Sequence, residues 1–208
     1  MEEIKEIGLL NKRVLAKDTK FKDATMLVTT RREKSELSKK IGQRWAKDHG
    51  VPFYWWYKRP SKGGMSNEEA DVISQSMYKY CPEVEGYYIQ GAPCMMTRDI
   101  SPPLGYANGS QGKMIGIVPK EGNVLPVGAP GEMIMIELPE YVTMEVSHKK
   151  GDEHWTTIVP CKSKKVSYDY KRDKEDKKFS CSSNCVNLMF AFTIHEPRVK
   201  PWKKQYFF

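Results

Sequence analysis

The chain has 208 residues, 39% of them hydrophobic and 11% aromatic, which is enough for a modest core and excludes a fully disordered polymer. Its 34 Lys+Arg against 26 Asp+Glu give a formal charge of +8, distributed as +7 over residues 1–60, −6 over 61–160 and +7 over 161–208, so a polyanionic partner is the first expectation. No apolar run approaches the roughly 18 to 20 residues of a membrane span, and Met1-Glu2-Glu3-Ile4-Lys5 lacks a signal peptide's apolar core, which predicts an intracellular protein with no membrane partner.

The first elements alternate as in an α/β unit. Residues 24–30, Ala-Thr-Met-Leu-Val-Thr-Thr, form a short β-branched apolar run, and the following stretch from Glu33 to His49 repeats Leu37, Ile41 and Trp45 at helical spacing. Gly50 stands where a helix C′ residue belongs, and Val51 to Tyr57 reads as the next strand. Ser61 to Gly64 breaks the pattern, after which Asn67 with Glu68, Glu69 and Asp71 predicts a capped second helix reaching about Tyr80. From Glu85 onward come short apolar runs punctuated by Gly, Pro and Asn: 87–89, 94–97, 113–118, 133–138, 141–146 and 156–160. That spacing predicts a small antiparallel barrel or sandwich. Lys162 to Lys178 is charged with mixed sign and predicts a solvated loop or hairpin, and Val186 to Phe192 predicts one buried strand returning to the first domain.

Gly91-Ala92-Pro93-Cys94-Met95-Met96-Thr97-Arg98-Asp99-Ile100 is followed by Leu104-Gly105-Tyr106-Ala107-Asn108-Gly109-Ser110-Gln111-Gly112. On the residues alone this is a strand, a Pro-rich loop and an Asn-Gly hairpin turn. The wording resembles the G-A-x-V-M-L-x-R-N-I and G-L-x-N-G-x-x-G signature of Pif/RecD-type DNA helicases, including those carried by Helitron transposons. Further pieces are similar to that family in the same order: Leu9 to Val14, Met26 to Arg31 (its motif IV strand, with Arg31 where Asn is usual), Leu138 to Val142, Ile158 to Pro160, and Phe190 to His195 at the opening of motif V.

The resemblance implies an α/β fold: part of a second RecA-like helicase domain (residues 1–84 and, as a returning strand, 179–208) interrupted by a small antiparallel β-barrel with a charged loop (85–178). It also implies a chain truncated at both ends, single-stranded DNA as a partner, a P-loop-bearing helicase half as another, a nuclear location, and ATP with Mg as cofactors of the intact family. The departures bear on activity. After Ile194-His195 the family's K-S-Q-G is replaced by Glu196-Pro197-Arg198-Val199, and no G-x-x-x-x-G-K-[ST] occurs; at Gly112-Lys113 the flanking places hold Ala107 and Met114. The chain alone is therefore expected to bind no ATP and to have no catalytic residues of its own. The alternative functions are a non-catalytic single-stranded nucleic-acid binder and an inert transposon remnant.

The resemblance places Thr193 and His195 near the nucleic-acid backbone, and Arg98, Asn108 and Gln111 on the DNA-facing side of the barrel, where structural roles within the hairpin are equally open. Phe53-Tyr54-Trp55-Trp56-Tyr57-Lys58-Arg59 has the composition of a stacking platform, with Trp55, Tyr57, Lys58 and Arg59 as its candidates. A strand with a core-facing side explains the same residues, alternation burying either Tyr54 and Trp56 or Phe53, Trp55 and Tyr57. The cysteines Cys81, Cys94, Cys161, Cys181 and Cys185 are odd in number and scattered, as reduced thiols are; Cys181 and Cys185 lack a second ligand pair for zinc, so no metal is expected.

Overall fold

A computed structural model describes residues 25–58, 60, 66–78, 84–150, 152–172 and 175–193. The chain runs through β1 (Met26–Val28), α1 (Arg31–Asp48), β2 (Phe53–Tyr57), α2 (Asn67–Tyr78), β3 (Glu85–Ile89), β4 (Pro93–Met96), β5 (Gln111–Val118), β6 (Met133–Met135), β7 (Tyr141–Lys150), β8 (Glu153–Lys162), β9 (Lys164–Arg172), β10 (Glu175–Ser183), β11 (Val186–Leu188) and β12 (Ala191–Thr193). It is an α/β arrangement of mixed sheets with few helices. None of the described helices is long and apolar enough to cross a membrane.

Both ends of α1 are written in local chemistry. Thr30 caps it: its hydroxyl accepts from Glu33 N at 3.1 Å while the Glu33 carboxylate accepts from Thr30 N at 3.0 Å, a capping box. At the other end Gly50 has φ 71°, Gly50 N donates to Lys47 O and Val51 N to Ala46 O, the paired bonds of a Schellman motif. The cap of α2 lies one residue before the expected Asn67. Ser66 and Glu69 form it, through Ser66 N to the carboxylate at 2.9 Å and Glu69 N to the hydroxyl at 3.2 Å.

The face that α1 buries most deeply is the small-residue row Ser38, Gly42 and Ala46; the larger Ile41 and Trp45 of the expected stripe pack only partly buried beside it. Small side chains let the helix axis approach the sheet. A Cβ at Gly42 would stand 2.9 Å from Ile89 Cδ1.

Sheet pairing redistributes the chain. β1 and β12 lie parallel, with Met26 opposite Ala191 and Val28 opposite Thr193. β2 is the central strand of a second sheet, antiparallel to β3 and parallel to β6. A third sheet has the order β11-β4-β5-β7-β8, and β9 and β10 form the hairpin expected of the charged stretch. The apolar run expected as one strand at 186–192 is thus two: β11 stays beside β4, and β12 crosses to β1. One continuous core, including Phe53, Trp56, Ile89, Met96, Met114 and Met144, joins α1, β2 and β3 to the five-stranded sheet.

The expected barrel is not closed. The five-stranded sheet ends in β11 on one side and β8 on the other, and these edges share no ladder. They meet through side chains instead: Asn184 Nδ2, just before β11, donates to Cys161 O in β8 at 3.3 Å. A side-chain amide satisfies one carbonyl where a ladder would satisfy a row. Pro160 in β8 has no N–H to offer a further strand, as suits an edge.

Candidate nucleic-acid interface

Arg31, Lys34, Ser35 and Ser38 fall on one stripe of α1, three, four and seven residues apart. With Lys58 at the end of β2, Glu85 and Tyr87 of β3, and Asn187 and Leu188 of β11, they line a surface cleft. Three cations face one carboxylate there. That carboxylate is already engaged, taking Lys39 Nζ at 2.9 and 3.2 Å on its two oxygens and the Tyr87 hydroxyl at 2.5 Å. Among the described residues that line the cleft, cations outnumber carboxylates. Lys58 and Ser38 are each only 5% exposed, and Ser38 Oγ is buried with no hydrogen-bond partner. A buried orphan hydroxyl is costly and is rare in a purely structural setting. An oxyanion entering the cleft would supply the missing partner to Ser38 and meet the cations that line it.

The residues singled out by sequence disperse. Lys58 lines the cleft, but Trp55 and Tyr57 do not form an open platform: their rings pack edge to face at 5.2 Å, and Tyr57 is 9% exposed in a small cluster with Met77 and Val84. Lys39 Nζ sits over the Trp55 ring at 5.0 Å. Neither expected alternation holds, since Phe53, Trp56 and Tyr57 are all buried; burial at residues of both parities shows that both faces of β2 are covered, so period two does not separate inside from outside. Arg59 and His195 lie outside the described residues. Thr193 ends β12 opposite Val28, the residue two before the Thr30 cap.

Arg98, Asn108 and Gln111 belong to the β4–β5 connection. The Asn-Gly pair does not close a two-residue hairpin, because 14 residues separate Met96 from Gln111. It makes a turn inside the longer loop: Ser110 N donates to Ala107 O at 3.0 Å, and Gly109 takes φ 91°. Asn108 is exposed, its backbone N donating to Asp99 Oδ1 at 2.8 Å, and Gln111 pairs with Met95 at the start of β5. Arg98 has a structural partner, donating to Ser183 O at 2.8 Å. Gly112 and Lys113 lie within β5 rather than ahead of a helix.

The Arg98 guanidinium also reaches a group of thiols. Cys94, Cys161 and Cys185 are buried; the thiol of Cys161 hydrogen-bonds that of Cys185, which together with Arg98 holds Cys185 below the ordinary thiol range and pushes Cys161 up. Burial alone pushes Cys94 up to about 12. Among the described residues no cluster of His, Cys, Asp or Glu is arranged to hold a metal ion.

The sequence did not single out Arg31, Lys34, Ser35, Ser38 or Asn187 as site residues. The four on α1 share one helical stripe and were legible from spacing; Asn187 was not, since only the pairing of β11 with β4 brings it there.

No family model matches the chain, and no curated protein does. Among solved structures it is similar to the Pif1 helicase of Candida albicans, with 14% identity, a TM-score of 0.44, and coverage of 82% of this chain and 36% of that one. It is similar to unliganded Pif1 from a Bacteroides species at 15% identity and a TM-score of 0.39, over 84% of this chain and 42% of that one. Pif1 from Bacteroides in complex with ADP-AlF4 gives 15% identity and a TM-score of 0.39, over 86% and 33%. The chain thus spans from a third to just over two-fifths of the length of these proteins.

Proposed function

We propose that this chain grips the backbone of single-stranded DNA through the cationic cleft of α1, Lys58 and Asn187, and that it serves as the second motor half of a helicase whose nucleotide is held by a separate P-loop-bearing half. The observation that carries the reading is the cleft itself: among its described lining residues cations outnumber carboxylates, Glu85 is paired with Lys39, and the buried Ser38 hydroxyl lacks a partner. The motif order read from the sequence supports the same reading, because the pieces that resemble motifs IV and V are the strands β1 and β12, which lie side by side. The resemblance assigns ATP and Mg to the other half; the residues of this chain contribute phosphate contacts and positioning.

Binding of a fluorescent oligothymidylate to the purified chain tests this. Affinity is expected to fall linearly in log K against log salt, and Arg31→Glu with Lys34→Glu to weaken binding and flatten that slope by about one per lost phosphate contact. Absence of binding at low salt, or an unchanged slope in the charge-reversed variant, would overturn the reading.

A further inference from the structure

The core-facing side of β7 and β8 does not end where the core ends. Val142, Met144 and Val146 point inward along β7, as do Val159 and Cys161 along β8. Continuing at the same alternation, the next residues on that face toward the hairpin tip include His148 and Trp155, which are register partners. Their rings stack at 5.2 Å between centroids with 13° between planes. Tyr106 of the β4–β5 loop closes on His148 from another side, edge to face at 5.6 Å. Trp155 nonetheless remains 45% exposed.

Two features of this stack are poorly explained by packing. His148 Nε2 is buried with no hydrogen-bond partner, a cost that an apolar residue here would avoid. Trp155 leaves a large aromatic surface in water although its backbone lies in a well-paired hairpin. Departures from local consistency of this kind concentrate at functional sites. A flat ring braced from behind by a near-parallel second ring and held by a third is pre-organised to receive another flat ring, so little entropy is lost when one stacks upon it.

We propose that Trp155, backed by His148 and Tyr106, is a stacking site for an unpaired nucleobase of single-stranded DNA, a proposal that rests on the DNA-gripping reading above. The charge around it sets how this subsite behaves. Lys149 and Lys150 at the hairpin tip are matched in number by Asp152 and Glu153, so the tip adds no net positive charge. The site therefore takes the base rather than the phosphate, and its contribution does not depend on counterion release.

The test is a cycle of two proteins against two ligands, measured by anisotropy over a range of salt: wild type and Trp155→Ala, each with a labelled oligothymidylate and with the same oligomer made abasic. Wild type is expected to bind the thymidylate roughly tenfold more tightly than does Trp155→Ala, the size of one base stacked on an aromatic ring. The salt slope should be the same for both proteins, and Trp155→Ala should show a much smaller preference for the thymidylate over the abasic oligomer than wild type does. Trp155→Phe should recover most of the loss, which also guards against a folding defect in the alanine variant. Equal binding of thymidylate by wild type and Trp155→Ala, or a loss confined to the salt slope, would overturn this inference while leaving the cleft reading intact. Failure of wild type to bind either oligomer would overturn both.

Discussion

Lys39 on α1 and Glu85 at the start of β3 form an ion pair of 2.9 Å, and the two ends are unequally buried: the carboxylate side chain is 4% exposed, the lysine 28%. The pair fastens the helix to the sheet and neutralises the carboxylate that faces the cleft. Lys39→Met removes the ion pair from the buried Glu85 carboxylate while keeping its bond to the Tyr87 hydroxyl, and it is expected to cost about 3 kcal/mol in urea denaturation. Lys39→Met together with Glu85→Gln should recover much of that loss. In DNA binding the single variant should be weaker than the double, since only the single keeps a negative charge in the cleft without its Lys39 partner.

Gly86 stands opposite Trp56 in the β2–β3 ladder, and a Cβ on it would run into the indole ring. Trp56 is 2% exposed and cannot move aside without disturbing the core. Gly86→Ala should therefore destabilise by about 1 to 3 kcal/mol, as overpacking does. A thermal or urea transition unchanged from wild type would show that the indole has room the structure does not give it.

The Glu33 carboxylate lies below its ordinary range because the hydroxyls of Thr29 and Thr30 and the Thr30 N–H donate to it. Its folded pKa is thus lower than its unfolded one, so its contribution to stability is complete above the unfolded value of 4.5 and is lost as pH falls through the lower folded value. Glu33→Gln should remove that part of the acid dependence. Thr30→Ala, which deletes the other half of the box, should cost about 1 kcal/mol near neutral pH.

Among the described cysteines, Cys185 should be the first to react with iodoacetamide, identified by peptide mass spectrometry, because the Cys161 thiol and Arg98 favour its thiolate. Cys94, its thiol raised by burial, and Cys161, its thiol raised by the hydrogen bond to Cys185 and by burial, should both react more slowly. Arg98→Met should slow modification of Cys185 at pH 7.5 without accelerating Cys94. Labelling of Cys94 ahead of Cys185 would contradict the arrangement of the three thiols.

If the motor-half reading holds, ATP turnover should be negligible for this chain alone and should appear, stimulated by single-stranded DNA, when a P-loop-bearing helicase half is supplied. Phosphate release measured with each component omitted checks it. Robust turnover by the purified chain alone would refute the assignment.

The sequence by itself determined what is local: the helix ending before Gly50, the strand after it, the change of texture at Glu85, and a turn in the charged stretch near residue 170. These depend on hydrogen bonds and steric limits within a few residues, so their signals are written at fixed offsets. Tertiary structure decided which aromatics are spent on the core and which remain open. Tyr57, a candidate for a stacking platform as well as for the core, is buried, whereas Trp155 was not singled out and is half open, because exposure depends on which distant strands cover a face. It likewise decided that the apolar run at 186–192 would divide between two sheets and that the barrel would stop short of closure, with Asn184 reaching Cys161 across the gap. The net charge was countable at the outset, but its use was not. Only packing could bring Arg31, Lys34 and Lys58 around a carboxylate that Lys39 neutralises, and so convert a count of charges into a cleft suited to phosphate.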